Sequence, residues 1–130
     1  RGIHPAILTD RGLAPALEAL ASRSPVAVSI HTVPEERLPP QVEAAAYYVV
    51  SESLANVAKY AFASKVDVAV ACRDGWALVE VADDGAGGAD PARGSGLLGL
   101  VDRVEALAGN LDVESPIGAG TRVRARIPLG

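Results

Sequence analysis

The sequence predicts an α+β fold of the α/β two-layer sandwich type: a mainly antiparallel mixed sheet with helices packed on one face. Three observations predict it. Five segments alternate apolar and polar residues at the period of a strand, which gives each one face for a core and one for water. Three others carry apolar residues at helical spacing. Asp74-Gly75 joins two of the strand segments with the residue pair of a tight hairpin. A doubly wound parallel sheet would need strands apolar on both sides.

The elements follow in chain order. Residues 1–9 read as a linker entering from an upstream domain. Asp10 is placed to cap a helix carrying Leu13, Leu17 and Leu20 on one side, and Pro25 interrupts it. Val26, Val28 and Ile30 alternate as one face of a strand, and residues 34–40 form a turn-rich loop. A long helix is expected from about Pro40 to Ala63. Val50, Leu54, Val57 and Ala61 share its core face, and Glu52, Asn56 and Lys59 the opposite one. Val66, Val68 and Val70 form the next strand, and the return strand runs from Trp76 to about Ala82. Residues 84–95 are rich in glycine, alanine and aspartate and lack periodicity, so they read as a short loop, of which 86–95 is expected to be mobile without ligand. Leu97, Leu100, Val101, Val104 and Leu107 space a helix that Gly109 or Asn110 can end. A last hairpin turns Leu111, Val113, Val123, Ala125 and Ile127 inward. Asp112, Glu114, Arg122, Arg124 and Arg126 point outward.

With 130 residues, 49% of them hydrophobic, the chain suits one domain, 1–130, with one core. A net charge of -4 and no long basic run argue against nucleic acid as a partner. The single cysteine, Cys72, rules out an internal disulfide framework and fits a reducing compartment. No apolar run approaches the ~20 residues of a membrane span, and no signal-peptide pattern is present. The chain starts at Arg1 and holds no methionine, so it reads as a piece of a longer protein. A cytoplasmic setting is expected, with membrane anchoring of the longer protein left open.

Four groups of residues could carry chemistry. Glu52 and Asn56, one turn apart, offer hard oxygen ligands of the kind that hold Mg²⁺ with phosphates and water, and Lys59 could meet a phosphate. The same stripe also suits a solvated helix face. Asp83 ends a strand, where its carboxylate could accept a hydrogen bond from an exocyclic amine; Gly85 and Gly87 would let a ring approach the main chain. An ordinary Asp-Asp-Gly turn is the other reading. Gly94-Ser95-Gly96-Leu97-Leu98-Gly99 opens a helix, where free amides and the helix dipole favour anions. Glycines used only as a flexible joint remain the alternative. Gly118-Ala119-Gly120-Thr121 joins the final hairpin, with a hydroxyl that could reach a ligand. His4, His31, Cys72 and Trp76 read as structural.

Together these residues resemble the ATP-binding catalytic domain of sensor histidine kinases, in the superfamily shared with gyrase, Hsp90 and MutL. The resemblance covers nearly the whole chain. Residues 51–61 look like the family's N box, 83–87 its first glycine box, 94–99 its second and 118–121 its last. Residues 2–13 and 99–104 are similar to the subfamily of nitrate sensors and the DesK thermosensor. The resemblance implies a Bergerat-type ATP-binding fold, with ATP between the long helix and a short lid. Asn56 would bind Mg²⁺, Lys59 and Tyr60 would lie on the phosphate side, and Asp83 would bind the adenine amine. Gly85 and Gly87 would flank the ring. Gly94, Ser95, Gly96, Leu97, Leu98 and Gly99 would anchor the lid near the phosphates, and Thr121 would line the adenine side. The residue matching Glu52 activates water in the ATPase relatives; in kinases it would support the metal.

The implied reaction is transfer of the γ-phosphate of ATP to a histidine on an upstream dimerisation and phosphoacceptor domain, then to an aspartate of a response regulator. The longer protein would be a homodimer. Tyr60 departs from the histidine common in this subfamily. Neither His4 nor His31 stands where the phosphoacceptor would, so this chain alone is expected to bind ATP without phosphorylating itself. Two competing readings are a serine-protein kinase of the anti-sigma-factor type and a non-catalytic docking module of the same fold.

Overall fold

The computed structural model describes residues 5–89 and 96–130, apart from the side chains of Tyr60 and Ala61. The helices are α1 (Ala6–Arg11), α2 (Leu13–Arg23), α3 (Pro40–Asn56) and α4 (Leu97–Glu105). The strands are β1 (Ala27–Thr32), β2 (Lys65–Arg73), β3 (Trp76–Asp83), β4 (Asn110–Glu114) and β5 (Thr121–Pro128). They form one sheet in the order β1-β2-β3-β5-β4. β1 runs parallel to β2, with α3 in the crossover between them, and the other pairings are antiparallel. The mixed, mainly antiparallel two-layer fold expected from the sequence is the fold observed.

The alternation along the strands builds the core. Val66, Val68 and Val70 of β2 lie in register with Asp83, Val81 and Val79 of β3. Those residues of β3 oppose Thr121, Val123 and Ala125 of β5. The valines and Ala125 are at most 3% exposed and sit beneath the helices. Asp83 and Thr121 therefore continue the core-facing row at the strand ends, and the pleat turns both toward the helix layer. The hairpin at Asp74-Gly75 has φ of 55° and 83°, as a type I′ turn requires. On the outer face, Glu80 pairs with Arg122 at 3.1 Å, Arg126 stacks 4.3 Å from the Trp76 ring, and His31 meets Asp67 at 2.8 Å.

The structure corrects the sequence reading at three helix ends. Asp10 does not cap the first long helix: it lies inside α1, and Gly12, at φ 93°, separates α1 from α2 with no side-chain cap. What organises this corner is Arg37. Its guanidinium bonds the Glu43 carboxylate twice at 3.0 Å and the Thr9 carbonyl at 3.2 Å, and a Cβ on Gly12 would lie 3.0 Å from its Cδ. Leu8, within the stretch read as linker, is 1% exposed and packs into the core.

The long helix is α-helical only to Asn56. Val57–Ala61 is a π turn, and Phe62 follows in the left-handed region at φ 52°. The wider turn lets the chain leave the helix so that Ser64 and Lys65 reach Asp84. At the end of α4 the left-handed residue is Ala108, at φ 65°, rather than Gly109 or Asn110. Ala108 N donates to Glu105 O and Gly109 N to Val104 O, the bonds of a Schellman cap. Gly109 is required for a different reason: a Cβ there would stand 2.2 Å from the Arg126 carbonyl oxygen.

Candidate functional site

The strand ends supply the first half of the site. Asp83, half-buried, is in register with Thr121, and its Oδ1 accepts the Gly85 amide at 2.8 Å. Burial pushes its pKa up; the Gly85 and Thr121 amides pull it back, and the charge of Asp84 adds to the rise. A carboxylate has about four acceptor positions, so two backbone amides leave capacity for a ligand donor. Close backbone packing holds this carboxylate. A Cβ on Gly120 would be 2.1 Å from the Asp83 carbonyl oxygen, and one on Gly87 would be 2.0 Å from that of Pro116. Both glycines have positive φ. Gly87 thus serves to let two loops touch, whatever it does for a ligand.

Asp84 does something different from its neighbour. Its carboxylate accepts the Ser64 hydroxyl and the amides of Ser64 and Lys65, at 2.8 and 3.1 Å for the amides. These bonds lower its pKa to about 2. Asp84 fastens the chain leaving the π turn to the end of β3. The sequence reading assigned it no role, although a carboxylate beside a turn is a ready acceptor for local amides. Ser115 was missed too. Its hydroxyl bonds the Ala89 amide at 2.9 Å and the Thr121 hydroxyl at 2.6 Å, while its carbonyl accepts the Gly88 amide at 2.7 Å. The Thr121 hydroxyl is therefore already held, and residues 86–89 are joined to the loop before β5. No motif marks Ser115; only the fold brings it there. Asp83 and Thr121 also border a cavity of about 530 Å³ with Ala82, Glu114, Pro116, Ala119 and Arg122; Glu114 and Arg122 belong to the outer sheet face, so this cavity opens on the outer side of the strand ends.

The helices supply the second half. Glu52 and Asn56, both half-buried, lie one turn apart near the end of α3, and Lys59 is exposed on the π turn. The start of α4 faces Glu52: a Cβ on Gly96 would lie 2.5 Å from its Oε1. Gly96 has φ 85° and forms the N-cap position of α4. Leu97 is 1% exposed, so its side chain belongs to the core, whereas Leu98 is 56% exposed. Gly99 is inside the helix, and a Cβ there would meet nothing within 4 Å. Gly96 and Gly99 line a cavity of about 250 Å³ with Tyr48, Glu52, Leu100 and Arg103. Gly94, Ser95 and the side chain of Tyr60 lie outside the described residues, as does most of the loop expected to be mobile.

No cluster of three or more His, Cys, Asp or Glu side chains able to cage a metal occurs among the described residues. The Glu52 and Asn56 pair fits the narrower demand of Mg²⁺, which takes one or two protein oxygens and completes its shell with phosphates and water. Among the described residues no helix is long and apolar enough to cross a membrane.

Residues 41–130 match the family described as Histidine kinase-, DNA gyrase B-, and HSP90-like ATPase. The chain belongs to this family. The matched stretch begins at the first turn of α3 and takes in the whole site. The ATPase domain is similar to the oxygen sensor histidine kinase NreB of Staphylococcus carnosus, at 32% identity over 98% of the chain and 39% of the relative. It is similar also to the signal transduction histidine-protein kinase/phosphatase DegS of Bacillus subtilis, at 28% identity over 97% of the chain and 36% of the relative. Both are sensor kinases of the nitrate-sensor and DesK type. The chain thus spans under half the length of these relatives. Among solved structures, the blue-light activated histidine kinase of Erythrobacter litoralis EL346 superposes with a TM-score of 0.76 at 28% identity, over 90% of this chain and 42% of that one. The histidine-kinase-type ATPase domain is the ATP-binding catalytic part of such enzymes.

Proposed function

We propose that this domain binds ATP with Mg²⁺ and supplies the γ-phosphate to a histidine on a helical dimerisation and phosphoacceptor domain of the same protein. The phosphoryl group then passes to a receiver-domain aspartate of a response regulator. The observation that carries this reading is Asp83: a half-buried carboxylate at a strand end, oriented by the Gly85 amide and turned, beside Thr121, toward the helix layer. It is suited to accept a hydrogen bond from the adenine amine, with Gly85, Gly87 and Thr121 along that side.

Asn56, with Glu52 one turn before it, would hold Mg²⁺, which when bound neutralises charge on the phosphate oxygens. Lys59, exposed on the π turn, would meet the phosphates, and the family resemblance gives Tyr60 and residues 94–99 the same role. Amides at the start of α4 favour the triphosphate. The domain contributes positioning and charge stabilisation rather than a covalent intermediate. His31 is occupied by Asp67 on the outer sheet face, which suits an acceptor histidine lying elsewhere.

Calorimetric titration with ATP and Mg²⁺ tests the reading. Wild type is expected to bind, and Asp83→Asn to bind at least tenfold more weakly, about 1.4 kcal/mol. Because burial raises the pKa of Asp83, wild-type affinity should begin to fall at a higher pH than an ordinary carboxylate would give, as protonation removes the acceptor. Absence of binding, or equal affinity in the two proteins, refutes the assignment.

A further inference from the structure

Two polar side chains are buried among the described residues, and their surroundings differ. Glu43, 2% exposed, receives Arg37 and the Leu38 amide. Ser53, 4% exposed, has no hydrogen-bond partner for its hydroxyl among the described residues. A serine inside a helix can turn its hydroxyl back to the carbonyl four residues earlier, here that of Val49, and Ser53 makes no such bond. A buried hydroxyl without a partner has given up its hydration with nothing in exchange. Alanine would fit the same space, form the better helix and leave no polar atom unsatisfied. Ser53 therefore weakens the free domain, and a partner that enters from outside is what offsets it.

The position of Ser53 in the fold indicates that partner. Val49 and Val57, one turn to either side, are buried, so Ser53 belongs to the row of α3 that faces the core. Around the helix it falls between Val57 and Asn56, about 40° from the one and about 60° from the other. α3 packs on β3 and β5. Its end runs through the π turn to Ser64 and Lys65, whose amides bond Asp84. The last turns of α3 thus stand over the strand ends that carry Asp83 and Thr121. Val81 and Val123 lie next to those two in the core-facing row and are at most 3% exposed. Of the polar groups at this end, the Thr121 hydroxyl is bonded to Ser115 and the Asp84 carboxylate to Ser64 and Lys65. Asp83, when ionised, can only accept, which suits the adenine amine. The ring nitrogens that flank that amine need a donor, which Asp83 cannot supply. The unspent hydroxyl of Ser53 can.

We infer that Ser53 is a base-specificity residue: its hydroxyl donates, directly or through one buried water, to a purine ring nitrogen beside the amine that Asp83 accepts. This inference rests on the nucleotide reading above, and the experiment separates the two. Wild type and Ser53→Ala are compared by urea unfolding without nucleotide, and by calorimetry with four ligands. These are ATP with Mg²⁺, ADP without Mg²⁺, and 1-deaza-ATP and 7-deaza-ATP, each with Mg²⁺; each analogue replaces one flanking nitrogen by C–H. Expected are a urea midpoint in Ser53→Ala equal to or above that of wild type, and ATP binding about fivefold weaker, with the same factor for ADP without Mg²⁺. With one of the two analogues, variant and wild type should bind alike, because the partner of the hydroxyl is already gone. An unchanged ATP affinity overturns the proposal. So does a loss that vanishes without Mg²⁺, which assigns the hydroxyl to the metal side through Asn56. A lowered urea midpoint, or a loss that persists in full with both analogues, assigns it to packing and overturns the proposal as well. Failure of wild type to bind ATP instead refutes the underlying nucleotide reading.

Discussion

Two adjacent carboxylates, Asp83 and Asp84, are driven in opposite directions by the places their backbone gives them. Asp83 faces the helix layer, where lost hydration outweighs two amide bonds and its pKa rises. Asp84 turns outward, where a hydroxyl and two amides stabilise its charge without burial and its pKa falls to about 2. Because the folded state holds Asp84 below its unfolded value of 3.8, its stabilisation is present above that value. It is lost as pH falls through the folded pKa. Asp84→Asn is expected to lower the urea midpoint at neutral pH, and the gap to wild type should close between about pH 4 and pH 2. A gap that is constant over that range would show that the Ser64 and Lys65 bonds do not depend on charge. The sequence made Asp83 legible because it ends an alternating strand before glycines. Asp84 was not legible, since its partners lie about twenty positions earlier and meet it only after the π turn.

At the scale of elements, α4 shows which glycines serve the fold and which do not. Gly109 admits a neighbouring carbonyl, and Gly96 takes a positive φ against Glu52. Gly99 has neither reason: it sits within the helix, exposed, with open space where a Cβ would go. Glycine in a helix interior costs about 0.5–1 kcal/mol relative to alanine. A cost with no return in packing is what a close ligand approach would demand. Gly99→Ala should therefore raise unfolding free energy by about 0.5–1 kcal/mol in urea titration while weakening ATP–Mg²⁺ binding. Gain in stability with unchanged affinity would remove Gly99 from the site. Element positions were largely readable from periodicity, because the core demanded it of Val66, Val68 and Val70 or Leu97, Leu100 and Val104. Helix ends were not. Ala108 takes the left-handed cap that a neighbouring glycine was expected to take, because Gly109 is needed against Arg126.

Across the whole molecule, one buried carboxylate links the helix that carries Glu52 and Asn56 to the N-terminal region, beside the apolar contacts of Leu8 and α2 in the same core. Glu43, 2% exposed, receives both arms of Arg37 and the Leu38 amide, and Arg37 also reaches the carbonyls that end α1. Three segments with no local sequence relation converge on this pair, which is why periodicity placed Glu43 on no site. A buried charge that loses its partner is worse than no charge, since desolvation remains and the attraction is gone. Arg37→Met alone should therefore lower the denaturant midpoint more than Arg37→Met combined with Glu43→Leu. A double-mutant cycle measures the coupling directly. In the single variant, amide exchange at Gly12, whose N–H bonds the Leu8 carbonyl at 3.0 Å, should accelerate relative to the amides of β2 and β3. Equal midpoints in single and double variants would mean that α1 is held by its apolar contacts, with Leu8 as the anchor. The outcome bears on function because α1 precedes everything else in the described chain. If Arg37 holds it, a movement entering through α1 reaches the first turn of α3 through a fixed pair of hydrogen bonds. If Leu8 alone holds it, the same movement meets a contact that can slide.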